Sequence, residues 1–221
     1  MSNRVFGQFC GLARALEVVG ERWALLIVRD LLVGPRRFSD LRRGLPKIPT
    51  NILSARLKEL EQAGVVVRRV LPRPASSVVY ELTESGRGLE DAVLAFARWG
   101  ALRLGEPRDG EIVTTDSLIM ALRTIFHPPA RGVRLGVELR VGEVVLHARV
   151  DGVKLTVAEG PLARPDLVIE AGPGLKPLLA REVAAAAALA DGSVRVIGDA
   201  ALLSRFVEIF HIDGPVALTG S

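Results

Sequence analysis

A chain of 221 residues, 49% hydrophobic and 24% charged, has enough apolar mass for one large core or two smaller ones, which excludes a disordered polymer. Its single cysteine, Cys10, excludes an internal disulfide, and its longest uncharged apolar run, residues 183–190, is too short to cross a bilayer. Charge is uneven: residues 1–108 hold 18 Lys and Arg against 11 Asp and Glu, whereas residues 109–221 hold 11 against 14, so two domains with different partners are expected. The opening MSNRVFGQF has no charged-then-apolar secretory pattern, and a reducing cytoplasm is the expected compartment.

In chain order, residues 10–19 repeat apolar side chains at Leu12, Leu16 and Val19, and residues 22–32 form a second, more apolar helical stretch around Trp23. Gly34-Pro35 breaks the chain, and Arg36 and Arg37 lead into a short third helix, FSDLRRGL, with Ser39 as its expected cap and Arg42 and Arg43 near its end. Residues 50–64, TNILSARLKELEQAG, read as a fourth helix capped by the Thr50 hydroxyl and ended by Gly64. Leu53, Leu57 and Leu60 share one face of it. At about 100° per residue the opposite face carries Asn51, Ala55, Lys58 and Gln62, flanked by Ser54, a small and polar surface suited to a DNA major groove. Two short helices joined by a few residues make a helix-turn-helix.

The period then changes. VVVRRVL and SSVVYELT are β-branched runs around Pro72-Arg73-Pro74-Ala75, which predicts a hairpin wing. Thr83 or Ser85 is expected to cap a closing helix over residues 88–104, with Leu89, Val93, Phe96 and Trp99 or Ala97 as its apolar stripe. The first fold class is therefore mainly α: a three-helix winged-helix core with a β-hairpin wing. Asn51, Ser54 and Lys58 are candidates for base-edge contacts, Asn suiting adenine and Lys guanine. Thr50, Arg56, Arg36, Arg37, Arg42, Arg43 and wing residue Arg73 complete the DNA-binding set, the arginines as phosphate contacts, with Arg56 alternatively pairing with Glu59 or Glu61.

The run from Cys10 through Trp23, then GPRRFSDLRRGLPKIPTNILSARLKELEQAGVVVRR, YELTESGRGL and Trp99-Gly100, resembles the HxlR-type winged helix-turn-helix transcriptional regulators over about residues 10–104. Gly11 stands where that family often has Pro after its N-terminal cysteine. The resemblance implies a homodimer formed through the first and last helices, here residues 12–19 and 89–104, bound to double-stranded DNA with two half-sites. Some members sense oxidants through a cysteine near Cys10. A helix N-terminus lowers a thiol pKa, so Cys10 is a redox candidate beside its plainer reading as a small, partly buried hydrophobe.

Residues 106–111 are the expected linker between a first domain, 1–105, and a second, 112–221. In the second, Asp116 is expected to cap the helix SLIMALRTIF. VRLGVELRVG, EVVLHARVDG and VKLTVAEG predict an antiparallel meander, followed by a strand (DLVIEA), a helix broken near Arg181, a strand (SVRVIG) and a last helix capped by Asp199. This is an α+β domain with an antiparallel-rich sheet and packed helices. PDLVIEAGPGLKPLLA and DGSVRVIGDAALLSRFVEIF resemble the sterol-carrier-protein type domain over about residues 112–212, which implies an apolar pocket for a lipid or other hydrophobic small molecule. Leu118, Leu122, Ile125, Phe126, Phe206 and Phe210 are the candidate lining, at the spacing an ordinary core also requires.

His127, His147 and His211 are the only histidines, and none stands in metal-ligand spacing or beside a nucleophile motif, so neither metal, cofactor nor catalysis is expected. The leading reading is a ligand-responsive DNA-binding regulator. The alternative is a lipid carrier whose winged helix serves dimerisation or protein interaction.

Overall fold

The computed structural model describes residues 5–72, 77–105, 107–129 and 132–214. The chain divides into two compact units, residues 1–93 and 94–221.

In the first unit, α1 (Gly11–Val19), α2 (Ala24–Val33), α3 (Phe38–Gly44) and α4 (Thr50–Gln62) precede a two-stranded antiparallel wing, β1 (Val66–Val70) and β2 (Val78–Leu82). The core is aliphatic: Ile27 and Val28 of α2, Leu41 of α3 and Leu53, Leu57 and Leu60 of α4 are all buried. Val66 and Leu82, opposite each other at the wing's base, join that core. Arg36 exchanges both backbone hydrogen bonds with Tyr80, at 3.0 and 2.8 Å, tying the entry to α3 onto the wing.

The expected helix starts are shifted by one or two residues. Pro49, extended at φ −64° and ψ 142°, is the N-cap of α4, so Thr50 is its first helical residue and its hydroxyl caps nothing. Arg37 is the N-cap of α3, which puts Ser39 inside the helix; the Asp40 carboxylate accepts from the Arg37 N–H at 3.1 Å. The end of α4 is as expected. Gly64 turns left-handed at φ +71°, its N–H donating to Glu61 O and that of Val65 to Leu60 O, so the last carbonyls are satisfied. Thr83 caps α5 (Glu84–Arg87), a single turn, rather than one long closing helix, and α6 (Glu90–Ala101) follows.

In the second unit, α7 (Thr115–Thr124) is capped by Thr114 and not by Asp116: the Thr114 hydroxyl accepts from Ser117 N–H while Ser117 Oγ accepts from Thr114 N–H. The strands β3 (Arg134–Val141), β4 (Val144–Asp151) and β5 (Lys154–Glu159) form the meander. β6 (Leu167–Ala171) runs parallel to β3, and β7 (Val194–Gly198) pairs antiparallel with β6, giving the order β5-β4-β3-β6-β7 among the described residues. One face, with Leu135, Val137, Leu139, Leu146, Ala148, Leu167 and Ile169, is buried, and α7, α9 (Ala185–Ala190) and α10 (Ala201–Ile209) contact the sheet. The predicted break between α8 (Leu175–Leu179) and α9 is real; Arg181 there is left-handed, at φ +57°.

The opposite face holds a buried charge. Glu138 is 3% exposed, its carboxylate accepting from Leu162 N–H at 2.9 Å and from Arg140, which also bridges to Glu170 at 2.9 Å. Burial pushes this carboxyl up, but the Leu162 N–H and the Arg140 guanidinium more than offset it and hold it below the ordinary glutamate range.

Candidate nucleic-acid interface

Burying Leu53, Leu57 and Leu60 fixes the rotation of α4, and the 3.6-residue period then leaves Asn51, Ser54, Lys58 and Gln62 exposed. Ser54 Oγ donates to Thr50 O at 3.0 Å, leaving its lone pairs available. Asn51 offers an amide and Lys58 an ammonium at positions about two helical turns apart, the two chemistries that read purine edges. Arg42 is exposed at the end of α3, and Arg43 is exposed there with its guanidinium on Asp40 at 2.7 Å. Arg37 is exposed at the start of the same helix, while Arg36 is half-buried and donates to Pro35 O. Arg56 is placed differently. Its side chain is only 16% exposed and its guanidinium is paired with Glu59 and, at 3.6 Å, with Glu21, on the flank of α4 rather than its outer face. Arg73 lies outside the described residues.

The sequence matches the family model for HxlR-like helix-turn-helix proteins over residues 18–107. Among curated relatives, the uncharacterized HTH-type transcriptional regulator YvaP of Bacillus subtilis is 40% identical over 86 residues, 39% of this chain and 80% of that one. The HTH-type transcriptional regulator YodB of the same organism is 40% identical over 95 residues, 43% and 84% of the two chains. The uncharacterized regulator Rv3095 of Mycobacterium tuberculosis is 42% identical over 107 residues, 48% and 66%. The chain belongs to the HxlR-like helix-turn-helix family. It is a DNA-binding transcriptional regulator.

Beyond the polar face of α4, this HxlR-like chain leaves apolar side chains in water. α1 exposes Leu12 (66%) and Leu16, and α6 exposes Phe96 and Trp99 at 60% and 59%, so most of the expected closing-helix stripe is uncovered and Val93 alone of α6 is buried. Cys10 is the N-cap of α1 and exposed, which corrects its reading as a partly buried hydrophobe. The backbone N–H groups of Ala13 and Leu12, at the start of α1, lower its thiol pKa.

In the second unit, Leu118, Leu122, Ile125, Phe206 and Phe210 are buried and Phe126 is half-buried. Phe206 and Phe126 pack on Phe210 with ring centroids 4.9 and 5.6 Å away. These six form a packed core. A hollow of about 190 Å3 within residues 94–214 touches Ile125 alone of the set.

That core brings together a cluster the sequence does not announce. The ends of α7 and α10 form a short antiparallel bridge, Phe126 opposite Phe210, with His127 N–H donating to Ile209 O and His211 N–H to Ile125 O. The bridge stacks His127 on His211, ring centroids 3.7 Å apart, and each Nε2 lies 3.5 or 3.6 Å from Asp213 Oδ1. One ligand atom from each of the three residues falls within 4.8 Å of the others, close enough to hold a metal ion. The hydrogen-bond directions oppose one. Arg181, which only donates, lies 3.1 Å from His211 Nδ1, so that nitrogen accepts and the proton sits on Nε2. His127 Nε2 lies 3.1 Å from the carbonyl of His211, which only accepts, so it too is a donor. Both nitrogens facing Asp213 thus carry protons, the arrangement of a carboxylate-tethered histidine pair.

Burial, then His127 and Arg181, lower the pKa of His211, with Asp213 opposing. The folded state therefore holds the neutral form, and the stability this contributes is complete above the ordinary value of 6.5 and is lost as pH falls through it toward the depressed value. Melting of the second unit between pH 8 and pH 5 is expected to fall steeply in the native chain and less so in His211→Gln; equal slopes would refute the coupling.

Proposed function

We propose that this regulator acts in the cytoplasm as a homodimer whose two α4 helices, set about one helical turn of DNA apart, read the half-sites of a two-part operator. The observation that carries it is the division of labour on α4, with three leucines buried and Asn51, Ser54 and Lys58 exposed on the side away from them. The uncovered apolar side chains of α1 and of α6 support dimerisation, since apolar surface of this kind is removed from water by a partner. Thr50, Arg36, Arg37, Arg42, Arg43 and Arg73 serve the backbone. Arg56 organises α4 instead.

Regulation enters at two places. The lowered pKa of the exposed Cys10 thiol supports a redox response through an intermolecular disulfide or small-thiol adduct. The resemblance of residues 112–212 to sterol-carrier-protein domains supports a hydrophobic effector, which would enter by parting the Leu118, Leu122 and Phe206 core. Burying a dozen methylenes there yields roughly 10 kcal/mol gross, before ordering costs and repacking.

The test is fluorescence anisotropy with a duplex selected from random DNA. A dimer neutralising six to eight phosphates gives a slope of log affinity against log salt of about −5 to −7, and a flat response would remove the reading. Repeating the titration with laurate, and separately after mild peroxide with a Cys10→Ser control, resolves the two inputs. An affinity unmoved by laurate rejects the hydrophobic effector, and a peroxide response that survives Cys10→Ser rejects the thiol.

A further inference from the structure

On one flank of α4 lies a hollow of about 340 Å3 lined by Glu21, Arg22, Trp23, Lys47, Pro49, Ile52 and Arg56. At about 100° per residue, with Asn51 as zero, Lys58 and Ala55 fall within roughly 40° of the outward direction, and Ile52 and Arg56 fall roughly 100° and 140° away on one side. A helix lying in the major groove reads bases along its outward line and meets the sugar-phosphate strands along its flanks, because the groove is only about 12 Å wide. The hollow sits on such a flank, at the end of α4 that begins with Pro49.

Its charge suits an anion. Arg56 is committed to Glu59 and Glu21, and what remains on the rim is Lys47, exposed on the turn before α4, and Arg22, exposed at the start of the turn before α2. Arg22 is held rather than loose. Trp23 takes a left-handed backbone, φ +80°, a conformation that costs a bulky residue energy, and the Arg22 guanidinium lies over its indole ring at 5.0 Å. A cation fixed in advance loses less freedom when it meets its partner. Glu21 is the one carboxylate of the lining, against three cations, Arg22, Lys47 and Arg56.

We infer that this hollow seats a phosphate of the operator backbone, with Lys47 and Arg22 as its ligands and Trp23 as the plate that positions Arg22. Neither residue belongs to the arginine set of α3 and the wing, and neither reads sequence. The inference rests on the DNA-binding reading of α4 and adds a second line of backbone contacts beside it.

The test uses the full chain and the selected duplex, with Arg22→Gln, Lys47→Gln and the double variant, over 50 to 300 mM KCl. A dimer has two such seats, each holding one phosphate that Lys47 and Arg22 share, so the double variant should make the salt slope shallower by about 2 and weaken the selected and a random duplex by the same factor. Trp23→Phe, which keeps a ring under Arg22, should retain most of the slope. Lys154→Gln, on β5, is the control and should leave the slope unchanged. A double variant with the native slope and affinity overturns the phosphate seat, as does a loss confined to the selected duplex, which would mean base reading. Should Arg22→Gln fail to fold, Lys47→Gln alone, expected to shift the slope by about 1, decides the matter. A native chain that retains no duplex removes the DNA reading and this inference together.

Discussion

Lys58→Ala is expected to lower affinity for the selected operator by about 100-fold or more while changing affinity for random duplex only a few-fold. A good base contact discriminates by about 1–3 kcal/mol, and the proposed dimer would lose it in both half-sites, which doubles the penalty. Asn51→Ala should behave alike, with the loss concentrated at a different base pair. Arg42→Ala or Arg43→Ala should instead weaken all duplexes together and flatten the salt response, since a phosphate contact carries no sequence. Competition anisotropy against single-base operator variants separates the two patterns. Equal losses on operator and random DNA for Lys58→Ala would move that residue from base reading to the backbone.

The second large effect belongs to stability. Glu138→Ala removes an acceptor that is 3% exposed, strands the Leu162 N–H and leaves the Arg140 guanidinium with Glu170 as its one remaining carboxylate. Breaking a buried pair costs about 3–5 kcal/mol, and because Arg140 remains partly in water the lower end applies here. For a unit of this size about 3 kcal/mol lowers Tm by roughly 10 °C. Glu138→Gln keeps an acceptor for Leu162 and should recover a good part of that loss. Because the depressed pKa of Glu138 places its stabilisation above the ordinary glutamate range, it disappears as pH falls below about 4, and the native chain should approach the Glu138→Gln chain in acid. A Glu138→Ala chain melting within a degree or two of native would show that the carboxylate is dispensable.

Period and composition made much of this legible. The leucine triplet of α4, the β-branched wing and the meander are local patterns, and local patterns survive folding because they decide which face is buried. Caps were less readable. Thr50 and Ser39 are good capping types, yet Pro49 and Arg37 hold those positions, because the preceding backbone decides where the first helical φ and ψ fall; at α7 the cap is Thr114, as good a capping type as Asp116 and two residues earlier. The stacked histidine pair had no signal at all: His127 and His211 are 84 residues apart and meet through the bridge of Phe126 with Phe210. The parallel seating of β6 beside β3, across the whole meander, is likewise a property of the closed sheet. Arg56 was the ambiguous case, and the acidic neighbours that claim it include Glu21, distant in sequence, as well as Glu59.

The pairing of Phe126 with Phe210, and of Ile212 N–H with Leu179 O, has a consequence for synthesis. A ribosome delivers the helices and wing of residues 1–93 long before it delivers Phe210, so the reading head has its whole core in hand while α7 and the early strands still lack their final staple. Nascent chains released at residue 205 would thus carry an assembled helix-turn-helix module tethered to an unfinished, sticky companion, the form most exposed to proteases and chaperones.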